Sequence, residues 1–184
     1  MNLLWIPLAI LAGISAWAAW TFNRLVALRN SLKEAWSGID VQLKRRHDLV
    51  PVLVACVEGY RGYERKLFED IARQRAAAQA AQSAAETVSA ETELTAGLRR
   101  LIGVAEAYPQ LKASESYQQL SRQLVEIEDQ LQYARRYYNG TANNLNNLIE
   151  TFPSLVMARM FGFQSAAFFN VESAVERAAP EVKA

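Results

Sequence analysis

Residues 114–152 read SESYQQLSRQLVEIEDQLQYARRYYNGTANNLNNLIETF, and this stretch decides the fold class. Its apolar residues recur at alternating spacings of three and four, which is typical of a helix that buries one stripe against other helices. Ser114 is a suitable N-cap and Pro153 a suitable stop, so we predict one long helix between them. The predicted stripe, or helix seam, includes Leu120, Leu124, Ile127, Leu131, Tyr138, Leu145, Leu148 and Phe152.

Helical periodicity also extends through the earlier part of the chain. One apolar stripe comprises Leu25, Leu28, Leu32, Trp36, Ile39 and Leu43. It continues past Pro51, where a helix loses a hydrogen bond and is expected to bend. Another stripe begins at Leu67 and runs into the Ala/Gln-rich residues 76–85, which we interpret as a fraying helix end. A loop and hinge are predicted near 83–92, followed by a shorter helix over Glu91–Tyr108 that Pro109 ends.

These periodicities predict an all-α protein. No alternating apolar–polar strand pattern is present in the sequence, and eight Gly and five Pro are few enough to permit long helices. We predict an N-terminal transmembrane anchor over residues 1–23 that continues into a long antiparallel helical bundle over 24–170. Residues 171–184 are predicted to form a polar C-terminal tail.

The predicted anchor contains no charged side chain, so all 39 formally charged residues (20 basic plus 19 acidic) lie in 24–184. The run from Leu3 to Phe22 would form about 30 Å of helix, which matches the hydrocarbon thickness of a bilayer. Tryptophans lie near both of its ends, as amphipathic rings do at membrane interfaces. The predicted anchor residues are Leu3, Leu4, Trp5, Ile6, Ile10, Leu11, Ile14, Trp17, Trp20 and Phe22.

Two other interpretations of this segment remain open. A cleaved signal peptide would use Ala16-Trp17-Ala18 as its cleavage site, but no Lys or Arg precedes the apolar run. A buried core helix is the other possibility, but its twenty residues would then carry no polar stripe.

The flanking charges predict an orientation. Residues 24–46 contain six basic and two acidic side chains, a net charge of +4 (six minus two). The positive-inside rule therefore predicts a single-pass protein with its N-terminus outside and its body in the cytoplasm. Arg24, Arg29 and Lys33 are predicted to contact lipid headgroups, or else to act only as topology determinants on a solvated helix face.

The segment Lys44-Arg45-Arg46-His47-Asp48 has the residues for phosphate binding or for an acid–base pair of His47 with Asp48. The alternative is a solvated helix face with an Arg–carboxylate pair. Because adjacent helical residues point about 100° apart, neighbouring positions do not by themselves make a catalytic pair. We therefore predict a polar network or interaction role for Lys44, Arg45, Arg46, Asp48 and Arg135, and no catalytic residue.

Composition excludes several other functions. One Cys and one His do not support a Cys- or His-based metal site, and a net charge of +1 argues against bulk electrostatic binding of nucleic acid. The aromatic and basic residues 133–139 are better explained as helix core and rim, with Arg135 pairing Glu128 or Asp129. We predict no cofactor, no metal, no nucleic acid and no small-molecule substrate.

Two features have open interpretations. The apolar segment Ser154–Phe169 is expected to be core, a membrane contact or a partner interface. The asparagines at 143, 144, 146 and 147 either bond between helices or form a polar face.

The motifs AWSGIDVQLKRR (35–46), DLVP (48–51), AEAYPQLKA (105–113), FP (152–153) and GF (162–163) resemble the LemA family of bacterial membrane-anchored proteins. Val52 and Leu145 depart from the family pattern. The resemblance implies a single N-terminal transmembrane helix in the bacterial inner membrane, a cytoplasmic antiparallel helical bundle and no enzyme activity. One branch of the family is associated with the formation of magnetosome membranes.

We therefore predict a non-enzymatic, membrane-anchored scaffold that self-associates and organises membrane. Its predicted partners are membrane lipid and either further copies of itself or a membrane protein. The alternative from another class is a regulatory or signalling subunit that docks a membrane partner.

Overall fold

The computed structural model describes residues 5–59 and 65–169 of the chain. These residues form helices α1 (Trp5–Glu58), α2 (Arg65–Ala80), α3 (Ala84–Glu106), α4 (Pro109–Lys112), α5 (Glu115–Glu150) and α6 (Ser154–Met160). No strand occurs within the described ranges, which confirms the all-α prediction. Leu3, Leu4 and the predicted tail 171–184 lie outside the described residues.

Both of the predicted long helices are present. Helix α1 is continuous from the apolar N-terminal segment through Pro51 to Glu58. Helix α5 begins directly after Ser114 and ends before Pro153. Both confirm that periodic apolar stripes of this length are a strong signal for helix.

The chain forms two compact units, each built partly from α1 and partly from α5. The terminal unit comprises α1 as far as Ile39 together with Ala134–Phe168, and the central unit contains Asp40–Tyr133. In the terminal unit, the Trp36 ring lies 5.4 Å from that of Tyr138, and Leu25 shares a buried cluster with Ile149. Increasing positions on α1 thus meet decreasing positions on α5, so the two helices are antiparallel there.

The core of the central unit combines side chains from five helices. Apolar residues of α1, α2, α3, α4 and α5 form one buried cluster. Its fully buried members include Leu53, Ile71, Leu94, Leu101 and Leu111. Their removal from water supplies the main favourable term in folding of this unit.

The prediction of a loop and hinge near 83–92 is wrong, because α3 begins at Ala84. Ser83 caps the helix by accepting a hydrogen bond from the Glu86 backbone N–H at 3.2 Å, and the Glu86 side chain accepts one from the Gln82 backbone N–H at 2.9 Å. This is a variant of the capping box in which the Glu86 carboxylate bonds the residue before the cap, and the sequence contains the S-x-x-E motif of such boxes. The residues that follow are anchored rather than mobile, since Thr87 and Glu91 are both buried.

Loss of the cap should destabilise α3. We expect Ser83→Ala to lower the free energy of unfolding by about 1 kcal/mol, because the Glu86 N–H loses its acceptor. Ser89→Ala, at an exposed position inside the same helix, is the matched control and should cause no loss. Denaturant unfolding followed by circular dichroism measures both variants. Equal stability of Ser83→Ala and the parent chain would contradict the capping role.

The capping box also predicts a pH dependence. The Gln82 backbone N–H, followed by the Ser83 side chain, holds the pKa of the Glu86 carboxyl below its ordinary value of 4.5. A carboxyl with a lowered folded-state pKa stabilises the fold above the unfolded pKa, and this stabilisation disappears as the pH falls through the folded value. We therefore expect the free energy of unfolding to fall less between neutral and acidic pH in Glu86→Gln than in the parent chain.

The predicted seam of α5 is buried over most of its length, but its last member is not. Leu124, Ile127, Leu131 and Leu145 are buried, whereas Phe152 lies beyond the helix end and is 78% exposed. The seam prediction is therefore wrong at Phe152. The stripe ends with the helix, and the chain turns there into α6.

Residues 163–168 return along α5 after a turn at Gly162. Gly162 has φ +69°, a left-handed conformation that side chains disfavour, and the Phe163 N–H reaches back to the Ala158 carbonyl at 2.9 Å. Asn146 then donates to the Ala166 carbonyl at 2.9 Å and accepts from its N–H at 2.7 Å. The Tyr138 hydroxyl, whose pKa is raised by burial, donates to the Ala167 carbonyl at 3.0 Å.

The Asn146 clamp gives a direct test of this docking. We expect Asn146→Ala to lower the free energy of unfolding by about 1–3 kcal/mol, because both polar groups of Ala166 lose their partner. Asn143→Ala, at an exposed position of the same cluster, should cost less than about 0.5 kcal/mol. Hydrogen exchange at the Ala166 amide should accelerate only in Asn146→Ala. Unchanged exchange there would contradict the clamp.

Candidate functional site

A buried ion pair joins α1 to α3 in the central unit. Arg46 is 1% exposed and Glu91 2% exposed, although long charged side chains are rarely buried completely. The Arg46 Nη1 atom donates to Glu91 Oε2 at 3.1 Å. The other carboxylate oxygen, Oε1, lies 2.5 Å from His47 Nε2. Both oxygens of the buried carboxylate are therefore occupied by groups of α1.

Three further side chains take part, namely Thr95 of α3, Glu128 of α5 and Arg75 of α2. Arg46 Nη2 donates to the Thr95 hydroxyl at 2.7 Å, and Arg46 Nε lies 3.1 Å from Glu128 Oε1 on α5. From α2, Arg75 Nε donates to the His47 backbone carbonyl at 2.6 Å. We call Arg46, His47, Arg75, Glu91, Thr95 and Glu128 the buried ionic cluster. It connects four helices through two guanidiniums, two carboxylates, the His47 imidazole and the Thr95 hydroxyl.

The buried ionic cluster corrects two interpretations of the basic segment. Arg46 does not lie on a solvated helix face, because its side chain is enclosed by carboxylates from α3 and α5. The suggested pairing of His47 with Asp48 is also wrong. Asp48 is exposed, and the imidazole instead contacts Glu91, which is distant in sequence.

The geometry of this cluster favours a structural role over acid–base catalysis. A general base must reach a proton on a bound substrate, yet both members of the His47–Glu91 pair are buried. Within the described residues, no group of three or more His, Cys, Asp or Glu side chains is arranged to hold a metal ion. Removing one partner of a buried, hydrogen-bonded ion pair is strongly destabilising. We therefore expect the cluster to stabilise the packing of these helices.

The other predicted network residues lie in different surroundings. Lys44 and Asp48 are exposed, and Arg45 is half-exposed, 3.9 Å from Glu126 and bonded to Gln42 at 3.2 Å. Arg135 is half-buried in the terminal unit. Their interaction roles remain predictions.

A second notable surface is the N-terminal part of α1. Helix α1 is the one helix among the described residues that is long and apolar enough to cross a membrane. Only 6% of its most apolar stretch is buried. Exposed side chains on it include Trp5, Ile6, Leu8, Ile10, Leu11, Ile14 and Trp20. Such a continuous exposed apolar surface is rare on soluble monomers. These features fit a membrane protein.

Aromatic side chains gather where this apolar part of α1 ends. The Phe22 ring lies 4.8 Å from that of Phe161 and 6.1 Å from that of Phe163. The Arg29 guanidinium lies 5.2 Å from the Phe163 ring centroid, within the range of a cation–π interaction. Arg24 and Lys33, the other predicted headgroup contacts, are exposed.

Comparison with known proteins agrees with these features. Protein LemA of Metamycoplasma hominis is 27% identical over 159 residues, which cover 84% of this chain and 71% of that protein. The magnetosome protein MamQ 2 of Paramagnetospirillum magneticum is 34% identical over 77 residues, 42% of this chain and 28% of its own. MamQ of Magnetospirillum gryphiswaldense is 29% identical over a stretch of the same length. The two magnetosome proteins are thus matched over less than a third of their length.

The sequence pattern of the LemA family matches residues 35–183. This range includes the buried ionic cluster and the aromatic residues that follow α5. It begins after the apolar part of α1. The match covers most of the chain, and the protein belongs to the LemA family.

Proposed function

We propose that residues 5–22 of α1 span a membrane and hold a non-enzymatic helical scaffold at its cytoplasmic face. One observation carries this proposal. The first four turns of α1 expose apolar side chains, while later residues of the same helix are buried in helix-packing cores. One continuous helix therefore has a lipid-compatible part and a protein-packed part.

The two alternatives to an anchor explain less. In a core helix, other parts of the protein would cover most of the apolar stretch, but only 6% of the most apolar stretch of α1 is buried. A cleaved signal peptide would be cut at Ala16-Trp17-Ala18, which lies inside the continuous helix α1. The bulky Trp17 within that site, and the apolar run that continues beyond it to Phe22, also fit a retained anchor better than a signal peptide.

Charge supports the proposed orientation. The six basic and two acidic side chains of residues 24–46 follow the apolar run directly. By the positive-inside rule, this flank stays in the cytoplasm of a bacterial inner membrane. We expect a C-terminal fusion to green fluorescent protein to fluoresce and a fusion to alkaline phosphatase to be inactive. The reverse pattern would contradict the orientation.

A scaffold role is supported by the cluster and by the surface of the central unit. The buried ionic cluster rigidifies packing without presenting a reactive group to a substrate. Exposed valines at 41, 52 and 125 offer apolar contact points for another protein. The magnetosome relatives carry names that place them with a membrane-bounded organelle, which supports a role in organising membrane. We propose that the scaffold acts through self-association.

Self-association is testable on the full chain. In mild detergent, light scattering after size separation should give a protein mass of at least two copies, decreasing on dilution. Val52→Glu together with Val125→Glu should shift this equilibrium toward monomer, whereas Glu93→Gln at another exposed position should not. A strictly monomeric protein at every concentration would contradict self-association. A stoichiometric co-purifying membrane protein in place of a second copy would favour the regulatory-subunit alternative.

A further inference from the structure

We propose that Phe152, Met160 and Phe161, which we call the apolar tip, insert into the interfacial layer of the bilayer that α1 spans. The chain would then contact lipid at two places: through its transmembrane helix and through the turn that joins α5 to the returning segment. This inference rests on the proposed membrane anchor. It assigns a lipid-binding surface to the segment after α5.

The antiparallel course of α1 and α5 brings the tip toward the span. Trp36 lies against Tyr138, and Leu25 shares its buried cluster with Leu145, Ile149 and Ala158. Later residues of α5 therefore lie beside earlier residues of α1. Phe152 follows directly after the end of α5 at Glu150, so it continues this course toward the apolar part of α1.

A ring contact places the tip beside the last residue of the predicted span. Phe161 lies against Phe22, at 4.8 Å between ring centroids. The buried side of α6 is formed by Ser154 and Ala158, which leaves its neighbours on the outer side of the turn. The left-handed turn at Gly162 then reverses the chain directly after Phe161. The tip is the point of the terminal unit where the chain turns back from the span.

The exposed chemistry of the tip suits a lipid interface. Phe152 is 78% exposed, Met160 72% and Phe161 53%. Arg159 directly precedes Met160, and Arg24 follows Phe22 by two residues on α1. Both arginines are exposed, and cations of this kind attract anionic headgroups. The nearby carboxylate of Glu150 accepts a hydrogen bond from Ser165 at 3.0 Å. Aromatic rings and methionine next to arginine are side chains that favour a membrane interface, and Phe161 contacts Phe22 at the end of the apolar part of α1.

Depth-dependent fluorescence quenching tests the proposal on the full chain. In a Cys56→Ser background, single cysteines replace Met160, Leu11 or Tyr137, and each carries an environment-sensitive label. The chain is reconstituted into vesicles of neutral and anionic phospholipid with nitroxide at a shallow or a deep acyl position. Leu11 reports on the span, and Tyr137, which is 60% exposed, is the matched control in the same unit. Tyr137 lies 13 residues before the end of α5 at Glu150 (150 minus 137), or about 20 Å of helix at about 1.5 Å per residue.

The proposal predicts that the Met160 label loses about half of its emission to the shallow nitroxide and less to the deep one, as for a group about 5–10 Å into the interface. The Leu11 label should be quenched more by the deep nitroxide, and the Tyr137 label by neither. If Leu11 is quenched and Met160 is not, the tip inference is overturned while the anchor stands. If neither is quenched, the anchor itself is wrong. If the emission of the Met160 label is blue-shifted but no nitroxide lipid quenches it, then protein rather than lipid covers the tip. This result would also overturn the inference.

Discussion

Replacing Arg46 by methionine should lower the free energy of unfolding by about 3–5 kcal/mol. The guanidinium bonds Glu91 and Thr95 and pairs with Glu128, and its side chain is almost completely enclosed. Methionine fills similar volume but leaves the Glu91 carboxylate buried without its main cation. The measurement is denaturant unfolding of the full chain in detergent, followed by helical circular dichroism.

The neighbouring arginine is the matched control for this substitution. Arg45 has a half-exposed side chain, 3.9 Å from Glu126, so Arg45→Met should cost less than about 1 kcal/mol. The double variant Arg46→Met with Glu91→Leu should recover most of the loss, because no buried charge is then left unpaired at Glu91. Equal stability of Arg46→Met and Arg45→Met would mean that the buried ionic cluster does not hold the four helices.

Placing two lysines in the apolar part of α1 should remove the protein from the membrane. Leu11→Lys and Ile14→Lys each add about 2.5–3.5 kcal/mol to the cost of insertion, or about 5–7 kcal/mol together. This is enough to reverse the insertion of a single span of moderate hydropathy. The measurement is the fraction of full-length protein that resists alkaline extraction from membranes of expressing cells.

The control for the lysine variant also places two lysines at exposed apolar positions of the same helix. Val41 and Val52 are 54% and 53% exposed, close to the exposure of Leu11 and Ile14, but they lie outside the predicted span. Val41→Lys with Val52→Lys should therefore remain in the membrane fraction. Extraction of the parent chain itself, or equal retention of both lysine variants, would contradict the anchor.

Much of the fold was predictable because it depends on local periodicity. The stripes of α1 and α5 repeat over many turns, so isolated breaks at Pro51 or Gly140 do not obscure them. The sequence prediction starts α3 too late because the first turns of this helix are rich in alanine and lack large side chains. The S-x-x-E box at Ser83 was the signal that could have corrected this.

The candidate site was less predictable because its partners are distant in sequence. Arg46 and His47 stand out in the sequence, but their partner Glu91 lies on α3, in the segment for which the sequence predicts a hinge. Sequence spacing does not indicate which carboxylate a guanidinium meets across a bundle. The same holds for Asn146, whose two bonds to Ala166 depend on a returning segment with no periodicity of its own.

Spin-label accessibility along α1 is the most direct test of the central claim that the first part of this helix lies in lipid. Single nitroxide labels at successive positions from 5 to 30, in the full chain in vesicles, are compared for collisions with oxygen and with a water-soluble nickel complex. We predict high oxygen and low nickel accessibility through Trp20, with a crossover near Phe22 to Arg24. Nickel accessibility that is high throughout this stretch would show that the helix lies in water and would contradict the account.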